Sequence, residues 1–218
     1  MNLSERPAGQ AKLIGGRLCL DFVNSVGGRT IERSVKKKTP DDAIVREDKL
    51  HEYADLVAWS LHAGLVTEAE AARLLRESRQ RDKEVASVFA RALALREAIW
   101  RICRAVVNQT PQQQSDLDVL NQELAIAHGR VRLAAGEKNF VWEWTDTKNS
   151  LDRMLWLVAD SAAEYLTTGD LTRLRECGGE NCGWLFDDTS RNRSRQWCDM
   201  QDCGNLAKVR RFRSRIRV

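Results

Sequence analysis

The chain has 218 residues, 43% of them hydrophobic and 30% charged, with six cysteines and a formal net charge of +4. This balance suits one large domain, or a medium domain with a small appendage, around a real core. No apolar run approaches the 18 residues of a membrane-crossing helix, and the opening "MNLSERPAGQAKL" lacks the apolar stretch of a secretory signal. A cytoplasmic protein with no membrane partner is expected, whose cysteines are thiols or metal ligands rather than disulfides.

Taken in chain order, residues 1–13 read as disordered or loosely docked. "LIGGRLCLDFVNS" (13–25) reads as a short strand or a buried helical turn, and 26–42 as an exposed loop. Residues 48–63 place Leu50, Tyr53, Ala54, Val57 and Leu61 at helical spacing, and Gly64 follows as a stop. Thr67 and Glu70 make a capping box that opens a helix to residue 79. Residues 82–108 turn Val85, Val88, Phe89, Ala92, Leu95, Ile99, Ile102 and Val106 to one face, and Pro111 ends that segment. "SDLD" (115–118) is read as the cap of a helix that stops at Gly129. "VRLAAGEKNFVWEW" (131–144) alternates about a glycine turn, as a hairpin does. Residues 147–167 return to helix and end at Gly169, with a module boundary at 168–170.

Beyond that boundary, cysteines and arginines replace apolar periodicity. Cys177 and Cys182, then Cys198 and Cys203, form two C-x4-C pairs separated by fifteen residues. Two close pairs around a hairpin-sized insert are the layout of a closed structural zinc site, each turn aiming two sulfurs at one ion. Four thiolates leave no open coordination position, which argues against a catalytic metal. The insert is read as strand, turn and returning strand, with Trp184–Phe186 outbound and Gln196–Trp197 inbound. The competing reading, four buried free cysteines, does not explain the paired spacing. Cys19 and Cys103 sit in apolar patterns and read as small core residues.

Nine basic residues against two acids give the last 28 residues a charge of +7, while the rest of the chain is at −3. The basic residues are Arg191, Arg193, Arg195, Lys208, Arg210, Arg211, Arg213, Arg215 and Arg217. Leu206, Val209, Phe212 and Ile216 recur in steps of three and four, so a helix is expected that docks by this stripe and shows its cations to solvent. Guanidinium forks grip phosphates bidentately and read guanine edges. The expected partner is therefore a nucleic acid. DNA is favoured over RNA because no exposed aromatic row offers a stacking platform for bases, Trp197 and Phe212 being read as core.

The segment "CGGENCGWLFDDTSRNRSRQWCDMQDCGNLAKVRRFRSR" resembles the CGNR zinc finger of bacterial transcription regulators, and "GGRLCLDFVNS" with "DLVAWSLHAGLV" resembles the companion ABATE domain in the same order. The resemblance implies a mainly helical ABATE-like sensor domain over 1–169. It also implies a treble-clef-like, DNA-binding module over 170–218, in which Cys177, Cys182, Cys198 and Cys203 hold one structural Zn2+. It further implies a stress-related transcription regulator. The family motif's arginine is replaced here by Leu206, which either alters a DNA contact or extends the apolar stripe, and the helical spacing favours the second.

The fold expected is thus mainly α with a small β-hairpin component and a C-terminal zinc module. No catalytic constellation is apparent in 1–170. His51, His62 and His128 are scattered, and no phosphate-cradling loop, G-x-S-x-G or HExxH occurs; a non-enzyme is expected. Asp21 and Asn24 lie in an apolar stretch and must find hydrogen bonds. They either line a ligand pocket with Trp59 and Arg96, or stitch the fold. Two rival functions stay open: a small-molecule-binding protein or enzyme with a purely structural zinc module, and an RNA-binding protein. A small-molecule or protein effector and a homodimer are compatible with the sequence, which shows no dimer face.

Overall fold

The computed structural model describes residues 2–29, 47–145, 150–179 and 182–216. Its axis is α4 (Asp82–Asn108), with the apolar stripe of the sequence turned inward along 27 residues. α4 stops where Gln109 takes a left-handed conformation (φ 53°), two residues before Pro111. Around it pack α1 (Leu18–Val23), α2 (Tyr53–His62), α5 (Gln114–His128) and α6 (Arg153–Thr168), with α3 (Glu68–Ser78) against α2. The core runs through all of them, with Trp59 and Trp100 fully buried within it, and Trp156 of α6 is fully buried as well. Cys19 and Cys103 are buried there too, and burial pushes the Cys19 thiol up to about 11.

The Thr67–Glu70 capping box is present as read. α5 begins at Gln114 rather than under a Ser115 cap; Gln113 sits at the cap position with no side-chain bond. α2 and α6 begin later than their periodicity suggests, at Tyr53 and Arg153, because apolar Leu50 and Leu151 are buried from the loops that precede them. Of the stretch read as helix from 147, residues 147–149 lie outside the described residues.

The N-terminal segment is docked, not loose. Ala8 is fully buried in a 3-10 turn, and Arg6 donates to Asp55 (2.6 Å) and Glu52 (2.8 Å) at the start of α2. The stretch from Val26 is not an exposed loop either. β1 (Val26–Gly27) pairs antiparallel with β2 (Glu47–Asp48), and Val26 and Arg29 are buried. A two-residue strand has no alternation to read, and its Gly-Gly sequence imitates a turn. The rest of that expected loop, residues 30–42, lies outside the described residues.

β3 (Val131–Ala135) and β4 (Phe140–Trp144) form the expected hairpin between α5 and α6, with Trp144 stacked on Trp156 at 5.8 Å. β5 (Leu174–Glu176) and β6 (Leu185–Asp187) form a third two-stranded sheet, and α7 (Asn205–Ile216) closes the description. The architecture is therefore mainly helical with small antiparallel sheets. Among the described residues no helix is long and apolar enough to cross a membrane.

Candidate metal centre and basic helix

The expected strand-turn-strand inside the cysteine insert is replaced by a hairpin around the first cysteine pair. β5 runs into Cys177 and β6 follows Cys182, and Cys177 N–H donates to Trp184 O at 2.8 Å. The segment after β6 does not return as a strand. The buried Asp188 carboxylate takes the backbone N–H of Ser190 (2.9 Å) and Arg195 (3.0 Å), which curls the chain into a loop. Asp side chains accept from backbone two residues on in this way, so "DDTS" organises a loop rather than a hairpin turn. The strand partner was hard to read because Leu174–Glu176 is too short to alternate.

The loop delivers Cys198 next to Cys177. Gly178 N–H donates to Gln196 O (2.8 Å) and Cys198 N–H to Cys177 Sγ (3.3 Å). Cys203 lies in the tight turn Met200–Gly204, which Asp199 caps and which leads directly into α7. All four Sγ atoms fall within 4.8 Å of one another, with Cys182–Cys198 at 3.5 Å and Cys198–Cys203 at 3.7 Å. A tetrahedral ion with Zn–S bonds near 2.3 Å separates its sulfurs by roughly 3.8 Å, so the four fit one zinc. Gly179 completes the cradle: a Cβ there would lie 3.1 Å from Cys203 Sγ and 3.2 Å from Cys182 Cβ.

The thiols also fit electrostatically. Hydrogen bonds from Cys182 and Cys198, aided by the N–H groups of Cys198 and Gly179 and opposed by burial, pull Cys177 far below the ordinary thiol range. Serving Cys177 pushes Cys182 and Cys198 up, and burial pushes Cys203 up. A bound dication lets all of them ionise.

Residues 16–169 match the family ABATE, described as "Putative stress-induced transcription regulator", and residues 173–216 match the CGNR zinc finger. The chain belongs to the ABATE family. Among curated proteins, none matches it. The CGNR match and the sulfur geometry together support one structural zinc, held by Cys177, Cys182, Cys198 and Cys203.

The zinc module of this ABATE protein is seated on the helical body. Asn24 holds Leu185 through both backbone groups, Nδ2 donating to its carbonyl (2.8 Å) and Oδ1 accepting its N–H (3.0 Å). Trp184 Nε1 donates to Val26 O (2.6 Å), Trp100 Nε1 to Gly183 O (3.1 Å) and Arg29 N–H to Cys182 O (3.1 Å). Leu174 and Leu185 belong to the main core. Sequence reasoning missed Trp184, Trp100 and Arg29 as seating residues. Trp184, two residues past a ligand cysteine, carried a signal; Arg29 carried none.

The four residues weighed as a ligand pocket serve the fold. Asp21 accepts from Gly15 N–H (2.7 Å), Asn24 stitches β6, and Trp59 packs on Phe22 at 4.9 Å. Arg96 forks onto Asp48 at 2.7 and 2.6 Å. A cleft of about 630 Å³ lies elsewhere, at the junction of the two modules, lined by Lys12, Glu47, Lys49, Gly179, Leu206 and Arg210.

The nine cations do not form one face. Arg195 is turned inward, donating to the carbonyls of Trp197, Ile14 and Cys198 and lying over Phe186 at 4.2 Å. Arg193, in a left-handed conformation, is tied to Asp170 (3.0 Å) and Thr172 (2.9 Å). Arg191, Lys208, Arg210, Arg211 and Arg213 are exposed. Arg215 lies on α7 beyond the described side chains, and Arg217 lies outside the described residues. The expected docking of α7 by its apolar stripe does not occur: Leu206, Val209 and Phe212 are 57%, 45% and 65% exposed. Periodicity specifies an apolar face but not a surface to cover it, and α7 packs chiefly on the Met200–Gly204 turn from which it springs.

Proposed function

We propose that this chain is a non-enzymatic, cytoplasmic regulator that binds DNA through a treble-clef-like zinc module. The observation that carries the reading is the rooting of an exposed cationic helix in a cysteine tetrad. Cys203 is a ligand, and Asn205 two residues later begins α7 with Lys208, Arg210, Arg211 and Arg213 exposed. A metal thus sets the direction of a helix whose guanidinium groups suit phosphates and guanine edges. The family description, a transcription regulator, agrees with this reading.

The body would act as sensor through the junction cleft, since an effector bound there touches β1, β2 and the base of α7 together. Selection from a random duplex DNA pool, with and without chelator, tests the proposal. Enrichment of a defined sequence only from the zinc-loaded protein supports it. Equal retention of RNA of the same sequence favours the RNA-binding alternative, and no retention of either defeats the nucleic-acid reading.

A further inference from the structure

The β3–β4 hairpin is built the wrong way round for a hairpin that faces water on its own. In its register Val131 sits across from Trp144, Leu133 across from Trp142 and Ala135 across from Phe140. Paired residues share a face, so all six side chains of that face are apolar. The other face carries the Arg132–Glu143 ion pair (2.8 Å). Among the described residues only the base of the apolar face is covered, where Trp144 stacks on Trp156. Further out, Leu133, Trp142 and Phe140 are 57%, 74% and 71% exposed.

We infer that this face is the contact between two copies of the chain. Size is the first reason. With 150–250 Å² per aromatic side chain, these three residues present roughly 400 Å² of contiguous apolar surface, in the size range of the largest patch on a single chain, which is often functional. A two-fold pairing of such faces buries about 800 Å² of apolar area before its rim is counted, and the rim carries it toward the 1,200–2,000 Å² of stable pairs.

Charge is the second reason. The hairpin's ionic groups are Arg132, Glu137, Lys138 and Glu143, two of each sign, so two copies meet without like-charge repulsion. A patch meant for a polyanion or an anionic lipid surface would be cationic instead. Pairing through one patch on each copy closes at two, and it gives the assembly two zinc modules. The inference stands apart from DNA binding, because its test reads only molecular mass.

The experiment is sedimentation velocity of the full zinc-loaded chain from 1 to 100 µM at physiological salt, alongside a double variant, Phe140→Lys with Trp142→Lys. Both substituted positions are exposed, and far-UV circular dichroism checks that the fold is kept. The expected result is a wild-type dimer within that range, with tryptophan emission shifting to shorter wavelength as it forms. The double variant should stay monomeric, its dissociation constant raised at least about 100-fold. Leu133→Glu, on the opposite strand, should do the same and replaces the double variant if that one misfolds. A wild type that is monomeric at 100 µM overturns the inference. So does a dimer that survives these substitutions but dissolves with Leu206→Lys and Phe212→Lys, which would put the contact on α7. Binding of the monomeric wild type to neutral phospholipid vesicles also overturns it, since the face would then meet lipid.

Discussion

Replacing Asn24 with alanine should unseat the zinc module and the helical body together. The Asn24 side chain is buried and grips both backbone groups of Leu185, at 2.8 and 3.0 Å, and Leu185 is fully buried as well. Alanine leaves a buried N–H and a buried C=O without partners. Each costs about 1–3 kcal/mol, so the loss is roughly 2–6 kcal/mol against a total stability on the order of 5–15 kcal/mol. Leu185 lies three residues past Cys182, so the same change should loosen the metal. The assay is urea denaturation followed by far-UV circular dichroism, with zinc release read in parallel by a chromophoric chelator. Both midpoints should fall together. Asn24→Asp, nearly the same shape, should be no better, because a carboxylate oxygen would then face the Leu185 carbonyl. A loss below about 0.5 kcal/mol for Asn24→Ala, the scale of an ordinary surface substitution, refutes the reasoning.

Gly183 has φ +67°, and a Cβ there would stand 2.5 Å from Arg29 Cβ. Gly183→Ala should therefore lower the thermal midpoint by about 5–15 °C, and an unchanged midpoint would contradict the close packing seen at this turn. Stripping zinc should raise amide hydrogen exchange across 177–204 and also lower the midpoint of the helical body, because Leu174 and Leu185 lie in the main core. Unaltered exchange in 177–204 would remove the structural role assigned to the metal, whose binding in small modules is worth roughly 10–16 kcal/mol. Burial raises the pKa of Asp48, but the hydrogen bonds and charge of Arg96 outweigh it and hold the carboxylate below its ordinary value. The fold thus favours the charged form. Its contribution is present above the ordinary range near 3.9 and is lost as pH falls through the lower folded value. Wild type should exceed Asp48→Asn in stability at pH 7, and the gap should close below about pH 4; a gap independent of pH would show that Asp48 acts only by shape.

How much could be read before the structure depended on the kind of signal. α4 was legible to both ends because eight inward side chains keep helical spacing and nothing interrupts it before Gln109. The Thr67–Glu70 box and the 131–144 hairpin were legible because each rests on contacts between residues close in sequence. The metal site was legible because spacing alone brings each pair of thiols together. What failed depends on partners distant in the chain. Val26 pairs with Asp48, Leu185 is held by Asn24, and Arg195 reaches Ile14, none of which leaves a periodic trace. Among the cations that read as one surface, Arg195 is turned inward by such contacts and Arg193 is tied to Asp170. The α7 stripe failed for the opposite reason, since its spacing is clear but nothing in the described structure covers it.

The central claim is that a metal-rooted cationic helix meets a nucleic acid. Its most direct test is fluorescence anisotropy of duplex DNA binding over a series of salt concentrations, for wild type and for a variant with Lys208, Arg210, Arg211 and Arg213 all changed to glutamine. With about five phosphates contacted, log K against log salt should slope near −4.5 for wild type, and the variant should lose most of that slope while retaining its zinc. A flat salt response, or a variant whose slope equals that of the wild type, would contradict the account.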